Sequence, residues 1–208
     1  MNTKAFFKLS YGVYIVSASY EDKDGGCVIN TLAQVTSSPA RLSIALNKNN
    51  ETLRLIEGAG SFSAVVLSED VDMDLIKTFG FQSSRDTDKF NETSSERDLN
   101  GNPYPTQGIA ARFSCKVTDR LDVDTHVILI GEVTEAEIPS ESQVLTYADY
   151  HSKKNGTTPK NAPSYQESQT KGFRCSVCGY ILEADELPAD FLCPVCGKDS
   201  SYFEKIDS

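Results

Sequence analysis

The chain has 208 residues and a net charge of −10, with an isoelectric point near 4.7, which is room for one full domain and a small second one. An acidic balance of this size argues against nucleic acid and against an anionic membrane as partner, and no apolar run approaches the length of a membrane span. Met1–Ser10 is short and interrupted by Lys4 and Lys8, so no secretory apolar region precedes the first strand and a cytoplasmic protein is expected.

In chain order, Val13–Ser19 predicts a strand, Asp22–Gly26 a turn and Cys27–Thr36 a second strand. Leu42–Leu46 alternates as a half-buried strand does and hands over at Asn47–Asn50 to a short helix. That helix is capped by Asn50, turns Leu53 and Ile56 to one face and is expected to end at Gly58. Ser61–Leu67 reads as a strand, Val71–Thr78 as a helix, Arg112–Val123 and Thr125–Ile138 as two long strands, and Gln143–His151 as a last helix. Many strands, few short helices and no β-α-β alternation predict a mainly β protein, an antiparallel barrel or sandwich. The chain has no Gly-x-Gly-x-x-Gly fingerprint, which argues against a doubly wound nucleotide site. Asn30-Thr31, Thr36-Ser37-Ser38 and Asn47-Lys48-Asn49-Asn50 with Thr52 nevertheless group amides, hydroxyls, a cation and a helix start. Those are parts that hold a phosphate, and equally the residue types of turns and caps.

Residues 152–170 are rich in Ser, Thr, Asn, Lys and Pro and poor in aliphatic side chains, so they read as a linker between a domain at 1–151 and another at 171–208. A coil of that length spans roughly 25 Å on average, enough to swing a small domain between two partners. The last domain carries Cys175-Ser-Val-Cys178-Gly and Cys193-Pro-Val-Cys196-Gly. Two such pairs let four thiolates converge on one metal ion, with a glycine after each pair free to close the knuckle. Four soft ligands select zinc or iron, and spacing does not separate the two. From Lys171 onward four basic residues face seven acidic ones, which disfavours a nucleic-acid-binding zinc ribbon. Phe173, Tyr180, Phe191, Tyr202 and Phe203 supply apolar cover that dries such a site. Cys27 and Cys115 stand in no motif and read as buried thiols.

The cysteine pairs, with Asp185-Glu-Leu-Pro-Ala-Asp-Phe-Leu-Cys193 between them and Tyr202-Phe-Glu204 after, resemble rubredoxin, with a shortened middle segment and Phe191 where tryptophan is usual. Gly12–Val16, Val28–Thr31 with Val35-Thr36 and Pro39, Asn47-Lys48 with Thr52, and Asp124-Thr125-His126 through Val133 resemble the flavin reductase-like family, which binds FMN on a split barrel. Phe79–Phe90 and Tyr147–His151 look like the branch fused to rubredoxin, the high-molecular-weight rubredoxin type of NAD(P)H:rubredoxin oxidoreductase found in anaerobes. The resemblance implies FMN contacts from Asn30, Thr31, Thr36, Asn47, Lys48, Thr52 and Arg85, and one iron on Cys175, Cys178, Cys193 and Cys196. It places His126, in a partly kept Gly-Asp-His motif, beside flavin and nicotinamide. It further implies electron flow from NAD(P)H through FMN to iron, a homodimer, and a flavodiiron oxygen or nitric oxide reductase as acceptor. Two other readings stay open on the residues: an FMN reductase releasing reduced flavin beside a structural zinc ribbon, and a non-enzymatic flavin- or protein-binding module.

Overall fold

A computed structural model describes residues 1–154, 157, 158, 162 and 171–206. Most of the expected linker, namely 155, 156, 159–161 and 163–170, and the last two residues of the expected C-terminal domain lie outside the described residues. The elements in order are β1 (Tyr14–Tyr20), β2 (Lys23–Ile29), β3 (Ala33–Ser37), β4 (Ala40–Asn47), α1 (Glu51–Ala59), β5 (Ser61–Leu67), α2 (Met73–Phe81), β6 (Ser95–Arg97), β7 (Pro103–Pro105), β8 (Ile109–Val123), β9 (His126–Glu137) and α3 (Tyr147–Lys153). After the linker come β10 (Gly172–Cys175), β11 (Ile181–Leu182) and β12 (Phe203–Ile206). The protein is therefore mainly β, as the residue pattern predicts.

Seven strands form one antiparallel sheet in the order β2-β1-β5-β8-β9-β4-β3. The long strands β8 and β9 carry irregularities at Ser114/Cys115 and Val117/Asp119 that bend the sheet around its contents. Because side chains alternate along a strand, neighbours on β1 serve different cores. Val16 joins Ile44, Leu55, Ile56, Phe62 and Leu129, while Ile15 joins Val65, Leu67, Ile76, Phe79 and Leu145. Among the described residues no helix is long and apolar enough to cross a membrane.

Several local outcomes differ from the pattern-based expectations; helix α2, expected over Val71–Thr78, runs instead over Met73–Phe81 behind the cap Asp72, whose side chain accepts from Asp74 N–H. The first turn is only Glu21-Asp22, both at positive φ (52° and 57°), the turn geometry that follows strand twist. Gly25 and Gly26 lie in β2 instead, because helices pack directly on them: a Cβ at Gly25 would stand 2.4 Å from Leu55 Cδ1, and one at Gly26 3.0 Å from the Phe79 ring. The strand expected over Cys27–Thr36 breaks at Asn30–Leu32, where the Thr31 hydroxyl takes over a ladder position, donating to the Ala45 carbonyl (3.0 Å) and accepting from its amide (3.2 Å). Helix α1 runs past Gly58 to a left-handed Gly60 (φ 67°), whose amide bonds Ile56 O. Helix α3 starts at Tyr147, behind the cap Thr146, because Leu145 is held extended between Val13 and Leu67 by two backbone bonds. The short β6–β7 hairpin has no counterpart in the sequence reading.

Candidate metal centre and adjoining cavity

Strands β10, β11 and β12 form a three-stranded sheet that presents two knuckles, 175–179 and 193–197. Each closes with the same bond, Gly179 N–H to Cys175 O and Gly197 N–H to Cys193 O, both 2.9 Å. Both glycines adopt positive φ (81° and 72°), which a side chain would oppose. The four sulfurs lie within 4.8 Å of one another, with Cys175–Cys196 at 3.6 Å and Cys178–Cys193 at 3.5 Å. A tetrahedron with bonds of about 2.3 Å has edges of about 3.8 Å, so the cluster fits a single thiolate-bound ion with little adjustment.

Backbone amides aimed at the sulfurs oppose the burial of the thiols, and at Cys175 they prevail. Burial raises Cys175, but the amides of Cys178 and Val177 directed at its sulfur outweigh it and the thiol is lowered. Burial pushes Cys178 upward and Cys196 up to about 11 against the amides of Tyr180 and Lys198, a cost that a bound cation removes. The residues thus fit a mononuclear metal, and the four cysteines suit one iron.

Beside this centre is a cavity of about 300 Å³. Its walls come from the end of β2 with Asn30, the end of β4 with Asn47, the start of α1, the end of α2 with Ser83 and Ser84, and Tyr147 and Tyr150 of α3. The start of α1 is ordered by Asn50, whose side chain accepts from Thr52 N–H at 3.0 Å. Glu51 at that start pairs with Lys23, Arg54 and Arg85 at 3.5, 3.0 and 3.3 Å. Its burial, which raises the carboxyl, is outweighed by hydrogen bonds from Arg54 and Arg85, so the acid is held below its usual range. At the floor Lys89 is only 3% exposed and donates to the carbonyls of Gly26 (2.8 Å) and Phe79 (3.2 Å). Burial depresses its ammonium to about 8. A cavity walled by asparagines, a helix start and Lys89, with Arg85 at its rim, in an otherwise acidic protein, suits an anionic aromatic cofactor.

Asn30, Asn47 and the four cysteines stand at these two places. Arg85 reaches the cavity rim through Asn49 O at 3.1 Å and Glu51. Lys48 turns outward to Asp122 (2.6 Å), Thr31 spans to Ala45, and Thr52 is fully buried beside Glu51. Thr36, exposed on edge strand β3, donates to Pro39 O at 2.6 Å. His126 sits at the start of β9 with Nδ1 2.8 Å from Thr125 Oγ1, and its buried Nε2 has no partner among the described residues. The sequence reading missed Lys89, Phe81, Tyr147, Tyr150 and Val177 as cavity residues. The Phe79–Phe90 and Tyr147–His151 segments held the signal for four of them, through their likeness to the fused branch.

Comparison with known proteins agrees with this division. Residues 6–156 match the family described as flavin reductase like domain, and residues 173–204 match the rubrerythrin, rubredoxin-like domain. The chain is 34% identical over 229 residues to the high molecular weight rubredoxin of Moorella thermoacetica, covering 99% of this chain and 100% of that one. It is 38% identical over 169 residues to the ferric-chelate reductase (NAD(P)H) of Archaeoglobus fulgidus, covering 81% of this chain and 100% of that one. The fold is also that of the NADH:FAD oxidoreductase of Streptomyces globisporus C-1027, with TM-score 0.63 and 20% identity over 68% of this chain and 84% of that one.

Proposed function

The chain belongs to the flavin reductase-like family, with a rubredoxin-like domain after the barrel, and from that premise we propose that it passes electrons from NAD(P)H through FMN to a tetrathiolate iron and on to a protein acceptor. It is an oxidoreductase whose two domains fit electron transfer. The observation that carries the reading is the presence, in one chain, of a cofactor-sized cavity and a preformed four-sulfur site. Bound there, the flavin would exchange a hydride pair for single electrons and the iron would take them one at a time.

The chain's own residues have distinct tasks in this reading. Asn30 and Asn47 offer amides to the polar edge of the flavin, while the α1 start and Arg85 face its phosphate. Thr31, Lys48 and Thr52 adjoin cavity-lining residues and contribute through their backbone. Thr36 and His126 lie away from the cavity and would meet a flavin only when a second protomer completes the site. The exposed edge strand β3, with Val35 outward, supports such a homodimer. We assign domains to 1–151 and 171–208 around a linker at 152–170, and the cytoplasm as compartment, where six free cysteines are stable. The acceptor is a redox protein of the flavodiiron type.

The test is the visible spectrum and metal content of anaerobically purified protein before and after NADH. Iron-thiolate and flavin bands that both bleach support the reading. One equivalent of zinc in native-host protein, with only added flavin bleached, refutes it. Sedimentation as a monomer with bound flavin removes the homodimer.

A further inference from the structure

The cavity and the sulfur cluster share a wall. Phe81, the last residue of α2, lines the cavity and also packs against the cluster of Cys175, Cys178 and Cys193. Val177, inside the first knuckle, lines the same cavity, and among the described residues nothing from the second knuckle does. The first knuckle is held there from α3. Tyr150 Oη donates to Thr157 O (3.1 Å) and accepts from Thr157 N–H (3.2 Å). Thr158 Oγ1 meets Tyr147 Oη and, at 3.3 Å, His151 Nε2. The Thr158 carbonyl lies against the knuckle so closely that a Cβ at Gly179 would stand 2.6 Å from it.

Resting on the electron-transfer reading above, we propose that the metal centre is docked first knuckle inward, and that electrons enter it from the cavity across Phe81 and Val177. Tyr147, Tyr150 and His151 then act as positioning residues that clamp the start of the linker beneath the knuckle. One NAD(P)H supplies two electrons and each chain has one iron site, so the same centre takes them in two successive one-electron transfers, passing the first to the protein acceptor before the second arrives, with one proton released to solvent per NAD(P)H oxidised. Docking makes the transfer a property of the single chain; a domain swinging on a coil would instead depend on the effective concentration its linker sets. The second knuckle stays on the solvent side, with Leu192 exposed beside it.

The test is anaerobic stopped-flow mixing of full-length holoprotein with NADH, following the flavin and iron bands separately at several protein concentrations. Hydrogen exchange of the two knuckles gives a second readout. The expected result is iron bleaching at a rate independent of protein concentration, and slower exchange in the first knuckle than in the second. Phe81→Ala, which leaves the sulfur ligands untouched, and Val177→Asp, which leaves the barrel untouched, are each expected to slow iron bleaching at least tenfold relative to flavin bleaching. Each is also expected to abolish the exchange difference with iron content unchanged. Iron bleaching that rises in proportion to protein concentration, or parental speed in both variants, overturns the docking while leaving the function standing. Flavin that NADH does not bleach overturns the function itself.

Discussion

The two regions of this molecule are held together by different physics. The barrel buries Phe62, Ile44, Leu46, Leu55, Ile56 and Leu129 at 0–1% exposure, a core that supports a fold without help. Between Gly172 and Ile206 the buried cluster is three of the domain's own cysteines, with Val177, Tyr180, Val195 and Phe203 only partly covered. A domain of that size lacks the apolar area to offset its chain entropy, so coordination must supply the difference. One region is specified by many weak choices and the other by four strong ones.

The sharpest way to break that contrast is to remove the metal. Stripping the ion under reducing conditions, or Cys178→Ala, is expected to unfold residues 172–206 outright, since metal binding in small thiolate domains is worth on the order of 10 kcal/mol. Hydrogen exchange would show rapid labelling there while the barrel keeps its protection and its melting temperature. A barrel that melts with the small domain would make the two regions one cooperative unit. The converse substitution, Phe62→Ala, deletes a fully buried ring from the first core and is expected to cost about 3–5 kcal/mol in urea unfolding. Its iron band at 25 °C should be unchanged.

The same contrast governs what could be read from the sequence. The ligands were legible because Cys-x-x-Cys-Gly encodes its geometry within five residues; β4, β8 and β9 were legible from alternation, and β1 and β5 from their strand-forming residues. The first turn was not, because whether Gly25 and Gly26 serve a turn or a close approach depends on Leu55 and Phe79, which arrive from distant helices. The break at Asn30–Leu32 depends on Thr31 finding Ala45 across the sheet. Cavity residues were hardest. Lys89 has the composition of a surface residue, and only the fold brings it over the Phe79 ring at 5.6 Å and under two carbonyls.

Lys89 gives a test of intermediate size within the barrel. Its folded value of about 8 lies below the unfolded value near 10.5, so between those limits the unfolded chain binds the extra proton and stability rises with pH. Below pH 8 both states are charged and the slope vanishes. Relative to Lys89→Met, the parent is expected to gain about 3 kcal/mol across pH 8 to 10.5, no faster than about 1.4 kcal/mol per pH unit. The raised thiols Cys27 and Cys115 act in the opposite sense, because folding keeps them protonated while the unfolded thiols ionise. Cys115 is present in either protein and cancels in the difference, whereas Cys27 interacts with the Lys89 charge, so the comparison is made in a Cys27→Ala background. Parallel urea titrations at pH 7, 8, 9 and 10 would check this, and a constant difference would show that the ammonium is not desolvated.

The smallest effect addresses the junction between the regions. Thr146 caps α3, its hydroxyl accepting from Asp149 N–H at 3.0 Å, and Thr146→Ala is expected to cost about 1 kcal/mol of barrel stability. The helix it starts carries Tyr147, Tyr150 and His151, whose hydrogen bonds to Thr157 and Thr158 are one link from barrel to first knuckle, beside the packing of Phe81 on the cysteines. If the regions are independently stabilised, the substitution lowers the urea midpoint slightly, speeds exchange in the first knuckle and leaves the iron band intact. If the iron centre loosens as well, its stability must draw on α3, and the division between a core-built barrel and a metal-built domain fails at the helix between them.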